Sequence, residues 1–145
     1  MKRMMLIGRT DSGKTTLADV LKKGYSNARK TQSIETIGTV VDTPGEFVEN
    51  RRLYRALLVT SYDTDVVAMV MDATENHTLF PPNFAIAFNR EVIGIVTKVD
   101  KDVDADYAVS CLRKAGAKRV FIVSAISGEG LEELKSYLED EEESR

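Results

Sequence analysis

The stretch that decides the fold is Gly8-Arg9-Thr10-Asp11-Ser12-Gly13-Lys14-Thr15. It follows a short apolar run at residues 4–7 and precedes a segment with helical periodicity at residues 16–21. The spacing G-x-x-x-x-G-K-[ST] between a strand and a helix predicts a phosphate-binding P-loop. Backbone N–H groups wrap the polyphosphate in such a loop, and a side chain on either glycine would block close approach or strain the turn.

The loop and the helix behind it have separate expected roles. The helix points its N-terminal N–H groups and positive dipole end at the same anion as the loop. Lys14 would supply positive charge to the β- and γ-phosphates, as a catalytic as well as a binding residue, and we expect its side chain to face solvent. The Thr15 hydroxyl would be one Mg²⁺ ligand. The predicted nucleotide contacts here are Gly8, Arg9, Thr10, Asp11, Ser12, Gly13, Lys14, Thr15 and Thr16.

The role of Arg9 is open to two interpretations, because a basic side chain inside a P-loop can contact the ligand or face solvent. Its guanidinium could lie over the phosphates as an internal arginine finger. A side chain that simply faces solvent is the other interpretation.

Composition limits the class of protein. The chain has 145 residues, of which 43% are hydrophobic, and this is the size of one domain with one substantial core. We expect a single domain over residues 1–140 and an acidic tail over residues 141–145. A net charge of −3 offers no general attraction for nucleic acid. Cys111 is the only cysteine, which excludes an intrachain disulfide and fits a reducing cytoplasm.

Strand and helix patterns alternate along the whole chain. Apolar runs predict strands at residues 4–7, 36–41, 65–71, 92–96 and 119–123. Helical spacing predicts helices from residue 16 to Gly24, and at residues 51–62, 83–89, 104–115 and 131–138. No apolar run reaches the roughly 20 residues of a membrane span. The alternation predicts an α/β fold of three layers, with a mostly parallel sheet of about five or six strands.

Two further motifs follow predicted strands, where open α/β sheets bind their ligands. Asp42-Thr43-Pro44-Gly45 places Asp42 where it could hold Mg²⁺ through water, and leaves the Gly45 N–H free to approach a γ-phosphate. Thr97-Lys98-Val99-Asp100 follows a buried strand, and the Asp100 carboxylate can accept two hydrogen bonds from the N1–H and 2-amino edge of guanine. Adenine lacks these paired donors, so the unsatisfied carboxylate would cost about 1–3 kcal/mol.

The remaining base contacts come from the end of the strand predicted at residues 92–96 and from the end of the last predicted strand. Thr97 and Lys98 belong to the predicted set, with the Lys98 stem along base and sugar. Ser124-Ala125 follows the last predicted strand, where a backbone N–H could reach the guanine carbonyl.

These motifs, in this chain order, resemble the motif set of the Ras-like small GTPases, especially the bacterial translation-factor-related class that carries D-T-P-G. More narrowly, the chain resembles the EutP/PduV family of P-loop proteins from ethanolamine and propanediol utilisation. This narrower resemblance depends on residues 1–3 and 28–32, on the short segment that leads to residues 41–46, and on the small overall size. The resemblance implies Ras-like strand order and a cytoplasmic protein, and it leaves association with a bacterial microcompartment open.

Two departures from the small-GTPase pattern affect the expected chemistry. Where these proteins often carry a glutamine that orients the attacking water, this chain has Glu46. A carboxylate near the γ-phosphate would repel it, so intrinsic hydrolysis is expected to be slow, with Glu46 as the second catalytic residue. The second departure is the short segment from Thr31 to Asp42. Thr31 is the candidate that supplies the second Mg²⁺-binding hydroxyl, with Thr36 as the alternate.

Three functions therefore remain open. The first is a GTP/GDP-binding switch with slow hydrolysis, with ATP as the less favoured nucleotide. The second is an ATP-dependent phosphotransferase that acts on a short carboxylic acid such as acetate. The third is a non-hydrolysing nucleotide-bound module of a microcompartment, although no amphipathic N-terminal extension of the encapsulating kind precedes the first strand. The partner protein and the oligomeric state stay open, and no nucleic-acid partner is expected.

Overall fold

Strands and helices alternate in a computed structural model that describes residues 2–9, 12–28, 40–98 and 103–139, with backbone only for residues 22–28, 46 and 47. The strands are β1 (Met4–Ile7), β2 (Val40–Asp42), β3 (Val66–Asp72), β4 (Glu91–Thr97) and β5 (Val120–Val123). The α-helices are α1 (Lys14–Ala28), α2 (Glu46–Glu49), α3 (Tyr54–Ser61), α4 (Asp106–Lys114) and α5 (Leu131–Glu139). Short 3₁₀ helices occupy Arg51–Leu53 and Phe84–Ala87.

The strands form one sheet in the order β2-β1-β3-β4-β5, and each pairing between neighbours is parallel. β3 and β4 pair over their full lengths, from Val66 opposite Glu91 to Asp72 opposite Thr97. The α/β class and the Ras-like order predicted from the sequence are confirmed, and the described residues contain five strands of the predicted parallel sheet. Parallel pairing also places the carboxyl ends of all these strands at one edge of the sheet.

The two faces of the sheet are covered by different helices. In β1, Met4 and Leu6 join a core cluster with residues of α1 and α5, whereas Met5 and Ile7 join a second cluster with residues of α3 and α4. All four β1 side chains are fully buried. Successive strand residues point to opposite faces, so a strand covered on both sides must be apolar throughout.

Three predicted helix boundaries need correction. The predicted end of the first helix at Gly24 is wrong, because α1 continues to Ala28. A glycine inside a helix costs only about 1 kcal/mol, which the rest of the helix can offset. The helix predicted at residues 51–62 begins with the 3₁₀ turn Arg51–Leu53, where the Asn50 side chain accepts a hydrogen bond from the Arg52 N–H.

The segment predicted as a helix at residues 83–89 contains only the 3₁₀ helix Phe84–Ala87. Asn83 precedes it in the left-handed region, at φ 65°. Phe84 packs its ring against Tyr54 of α3 at 5.6 Å and against Phe88 at 5.6 Å. Ring contacts, together with backbone hydrogen bonds from Asn83 N and Ala85 N to the carbonyl oxygens at the end of α4, therefore attach this segment to the domain.

Two predicted segments fall wholly or largely outside the described residues. They are most of the strand predicted at residues 36–41 and the acidic tail at residues 141–145. Within the part of the chain that is described, no helix combines the length and the apolar character needed to cross a membrane.

Candidate functional site

The loop between β1 and α1 has the backbone geometry expected of a P-loop. Gly13 has φ +93°, a conformation that side-chain-bearing residues rarely adopt. A Cβ on Gly8 would lie 2.6 Å from the Val70 carbonyl oxygen of β3. Both glycines of the motif are therefore required by local geometry. Thr10 and Asp11, between them, lie outside the described residues.

Lys14 is buried rather than solvent-facing, so the expectation for its side chain in the free protein is wrong. The residue is 3% exposed, and its Nζ donates a hydrogen bond to the Arg9 carbonyl oxygen at 3.0 Å. Burial lowers the pKa of Lys14 from its ordinary value, and the carboxylates of Asp42, Glu49 and Glu75 oppose that shift. The ammonium group is thus already folded back along the loop, in an acidic neighbourhood.

The two predicted magnesium ligands in the described residues lie in contact. Thr15 Oγ1 donates a hydrogen bond to Asp42 Oδ2 at 2.9 Å, and both side chains are exposed. Thr43 fixes the start of the D-T-P-G turn, because its hydroxyl donates to the Leu6 carbonyl oxygen of β1 at 2.8 Å. A hydroxyl and a carboxylate that are open to water fit a hard cation that keeps several water ligands. Thr31, the third predicted ligand, lies outside the described residues.

The turn after Asp42 leads directly into α2. The Gly45 carbonyl oxygen accepts hydrogen bonds from Val48 N and Glu49 N, each at 3.2 Å, and closes the first turn of that helix. Glu46 is the first residue of α2, and its side chain is not among those described.

Three of the predicted base-binding residues, Thr97, Lys98 and Ala125, line a cleft of about 250 Å³ beside the P-loop. Its walls are Gly13, Thr16, Leu17, Asp72, Thr97, Lys98, Val123, Ala125 and Ile126. Lys98 and Ala125 thus lie on one cleft with P-loop residues, whereas Ser124 is fully buried and accepts a hydrogen bond on Oγ from Ser127 N at 3.2 Å. Asp100 lies outside the described residues.

Thr97 joins the two halves of this site. Its Oγ1 donates a hydrogen bond to the Ser12 carbonyl oxygen of the P-loop at 2.6 Å. The residues are 85 positions apart in the chain, and the bond sets the end of β4 against the loop. The Thr97 side chain therefore positions the P-loop, a role that the sequence analysis did not assign.

Arg9 is paired with Glu75, which sequence reasoning did not identify. Arg9 Nε donates to Glu75 Oε1 at 3.0 Å, and Arg9 Nη2 donates to the His77 carbonyl oxygen at 3.3 Å. Glu75 Oε2 accepts a hydrogen bond from Asp72 N at 2.8 Å. Burial raises the pKa of the Glu75 carboxyl group, against the opposing effects of the Asp72 N–H and Arg9. The bridge attaches the P-loop to the turn after β3.

Position alone could have indicated Glu75, since it follows β3, whose first six residues are apolar, at the edge of the sheet that holds the P-loop. Glu129 is the other missed residue, in the loop after Ser124-Ala125. Its carboxylate lies 3.5 Å from Lys98 Nζ.

A parallel sheet, a P-loop between its first strand and first helix, and an adjoining cleft define a P-loop nucleotide-binding protein. The family model PduV-EutP, described as "Ethanolamine utilisation - propanediol utilisation", matches residues 1–140. The chain belongs to this family.

Two relatives agree with this assignment, and one solved structure agrees with the fold. The chain is 40% identical over 146 residues to the propanediol utilization protein PduV of Citrobacter freundii, covering 99% of this chain and 97% of that protein. It is 32% identical over 143 residues to the probable acetate kinase EutP of Escherichia coli (strain K12), covering 95% and 89%. The G domain of the T. maritima FeoB iron transporter matches with a TM-score of 0.60 at 20% identity, covering 97% of this chain and 98% of that one. This last likeness shows the fold.

Replacing Thr97 with valine should lower the free energy of unfolding by about 1–3 kcal/mol, because the buried Ser12 carbonyl group loses its donor. Ser12→Ala is the matched control. Among the described residues, the Ser12 hydroxyl is the buried side-chain group without a hydrogen-bond partner, so its removal should leave stability unchanged or raise it. Urea unfolding of both variants measures the difference, and equal losses would contradict the assigned bond.

Lys14→Met keeps the side-chain volume but removes the buried charge. Because the pKa of Lys14 is lowered, the folded protein holds this proton less tightly than the unfolded chain does. The charged Lys14 therefore lowers the free energy of unfolding at neutral pH, and this cost is relieved as the pH rises toward 10.5. We expect an unfolding midpoint that is unchanged or higher at pH 7, with triphosphate affinity weakened about tenfold or more. Thermal unfolding and nucleotide titration test this. A lower midpoint with unchanged affinity would make Lys14 a structural residue only.

Proposed function

We propose that the protein binds GTP and GDP with Mg²⁺ and hydrolyses GTP slowly. The observation that supports it most directly is the Thr97–Ser12 hydrogen bond, because it sets the base-side motif against the phosphate loop. The cleft beside that bond has walls from both motifs. One nucleotide could therefore engage the P-loop with its phosphates and the Lys98 side of the cleft with its base.

The phosphate end would be held by residues 8–16. Backbone N–H groups of the loop would surround the β-phosphate, and Lys14 would turn its ammonium group from the Arg9 carbonyl to the β- and γ-phosphates. The Thr15 hydroxyl, Asp42 and Thr31 would hold Mg²⁺, which would neutralise charge on the bridging oxygens. Gly45 would approach the γ-phosphate through its N–H.

The base end would be read by the motifs after β4 and β5. In this proposal the Lys98 stem lies along the base, Asp100 accepts the paired guanine donors, and the turn at Ser124-Ala125 offers an N–H to the guanine carbonyl. Lys98 and Ala125 both line the cleft, which supports this placement.

Slow turnover follows from the charge that surrounds the γ-phosphate. A Glu46 carboxylate about 4 Å from that phosphate would cost roughly 4 kcal/mol at an effective dielectric of about 20. Asp42, Glu49 and Glu75 already act on Lys14, so the environment is acidic without Glu46. An additional carboxylate would raise the barrier for a water nucleophile instead of orienting it.

A switch of this kind would consist of one domain over residues 1–140 with a tail at 141–145. It would act in the cytoplasm within ethanolamine or propanediol utilisation, with a pathway or microcompartment protein as the partner that detects the bound nucleotide. The family match supports the pathway setting.

Transfer of the γ-phosphoryl group to acetate is the second candidate. It is favoured by the 32% identity to a protein named probable acetate kinase. An acetate oxygen would attack the γ-phosphorus, the bond to the β-phosphate oxygen would break, and acetyl phosphate and a nucleoside diphosphate would form. Nucleotide binding is common to both candidates, and the acceptor distinguishes them.

Asp100→Asn tests the choice of base. The amide pairs a donor with an acceptor, so guanine affinity should fall while xanthine, with its 2-oxo group, should gain. Titration of wild type and variant with GDP, XDP and ADP measures the shift. We expect the ratio of GDP affinity to XDP affinity to fall about tenfold or more in the variant. If the wild type binds ADP and GDP equally, the guanine assignment is overturned and the kinase candidate gains.

Glu46→Gln tests the reaction. Removing the charge and supplying an amide should increase the rate of intrinsic GTP hydrolysis above that of the wild type. The measurement is release of labelled phosphate from γ-labelled GTP and ATP, with and without acetate, with hydroxylamine to trap acetyl phosphate. A wild type that turns over fast and a variant that is inactive would make Glu46 a general base. Acetyl phosphate in the trap would establish the second candidate.

A further inference from the structure

Lys98 forms an ion pair at the wall of the cleft. Its Nζ lies 3.5 Å from Glu129 Oε2, and the Lys98 side chain is only 9% exposed, against 48% for that of Glu129. The Lys98 backbone N–H is also bonded, to the Val123 carbonyl oxygen of β5 at 3.0 Å. The Lys98 backbone is therefore held by the sheet, and the far end of its side chain is held by Glu129.

The loop that carries Glu129 is stabilised independently of its carboxylate. The Glu129 carbonyl oxygen accepts a hydrogen bond from Ser124 N at 2.9 Å, and its N–H donates to Ser127 Oγ at 3.2 Å. The Gly128 N–H donates to the Ser124 carbonyl oxygen at 2.8 Å. Substitution of the Glu129 side chain removes none of these bonds, so its electrostatic role can be tested without disrupting the turn.

We propose that Glu129 is a positioning residue for the nucleobase, acting through Lys98. It holds the ammonium group so that the four-carbon stem stays extended along the cleft, where a base and sugar can pack on it. This inference rests on the proposed nucleotide binding and adds a residue that determines how tightly the base is held. A long side chain that must first be ordered reduces affinity, and preordering removes that cost.

Glu129 pairs with Lys98 and does not itself line the cleft, so in the proposed binding mode it would not contact the phosphates. Its removal should therefore affect ligands that carry a base and leave a bare polyphosphate unaffected. This separation distinguishes positioning of the base from general loss of structure.

Glu129→Gln keeps the shape and removes the charge. We expect GDP affinity to weaken roughly three- to tenfold, with pyrophosphate affinity and the melting temperature unchanged. Glu132→Gln is the matched control, because it makes the same charge change at an exposed position in the first turn of α5. It should leave GDP affinity at the wild-type value. Glu129→Asp, which restores the charge on a shorter side chain, should recover part of the loss.

A double-mutant cycle shows whether Glu129 acts through Lys98. In a Lys98→Met background no ammonium group is left to position, so adding Glu129→Gln should cause no further loss of GDP affinity. Losses that simply add would overturn the proposal, as would equal losses for GDP and pyrophosphate, or unchanged GDP binding in Glu129→Gln. If the wild type prefers ADP, the same cycle is run with ADP. A wild type that binds neither nucleotide would overturn the proposed function itself, and this inference with it.

Discussion

Every part of the site depends on one constraint, the parallel direction of neighbouring strands. Parallel strands bring their carboxyl ends to a common edge, and in this sheet the loops after all five ends carry the residues discussed above. The order β2-β1-β3-β4-β5 puts the P-loop strand between the strand that ends in Asp42 and the strand that ends in Asp72. Asp42, which accepts the hydrogen bond from Thr15, and the turn that contains Glu75 thus lie on opposite sides of the P-loop.

The electrostatics of the loop follow from this arrangement. Lys14 is a buried cation whose Nζ donates to a backbone carbonyl oxygen. Three carboxylates, from the end of β2, from α2 and from the turn after β3, partly compensate its desolvation. Arg9 has its charge matched by Glu75, whose other oxygen holds a backbone N–H. The free protein therefore keeps its P-loop in place with hydrogen bonds and ion pairs that a bound polyphosphate would partly replace.

The base side of the site is ordered by the same kind of long-range contact. Thr97 and Lys98 are neighbours in sequence, yet one bonds to the P-loop and the other pairs with the loop after β5. β4 lies between β3 and β5 in the sheet, so its last residues can reach in both directions. This position makes the end of β4 the link between the P-loop and the loop after β5, which carries part of the proposed base site.

The sequence by itself determined the P-loop motif, the alternation of strands and helices and the family, because each depends on local spacing or on the period of apolar residues. It named Thr15 and Asp42 separately, whereas their hydrogen bond joins residues 27 positions apart and comes from the tertiary structure. Helix ends were predicted less well, since Gly24 is tolerated inside α1 and the segment near Phe84 packs through its aromatic rings. Only the tertiary structure decided that Lys14 is buried, that Arg9 pairs with a residue 66 positions away, and that Thr97 bonds to Ser12. These contacts join distant segments at the sheet edge, where side-chain burial and partner distance follow from strand order and loop path rather than from any pattern along the chain.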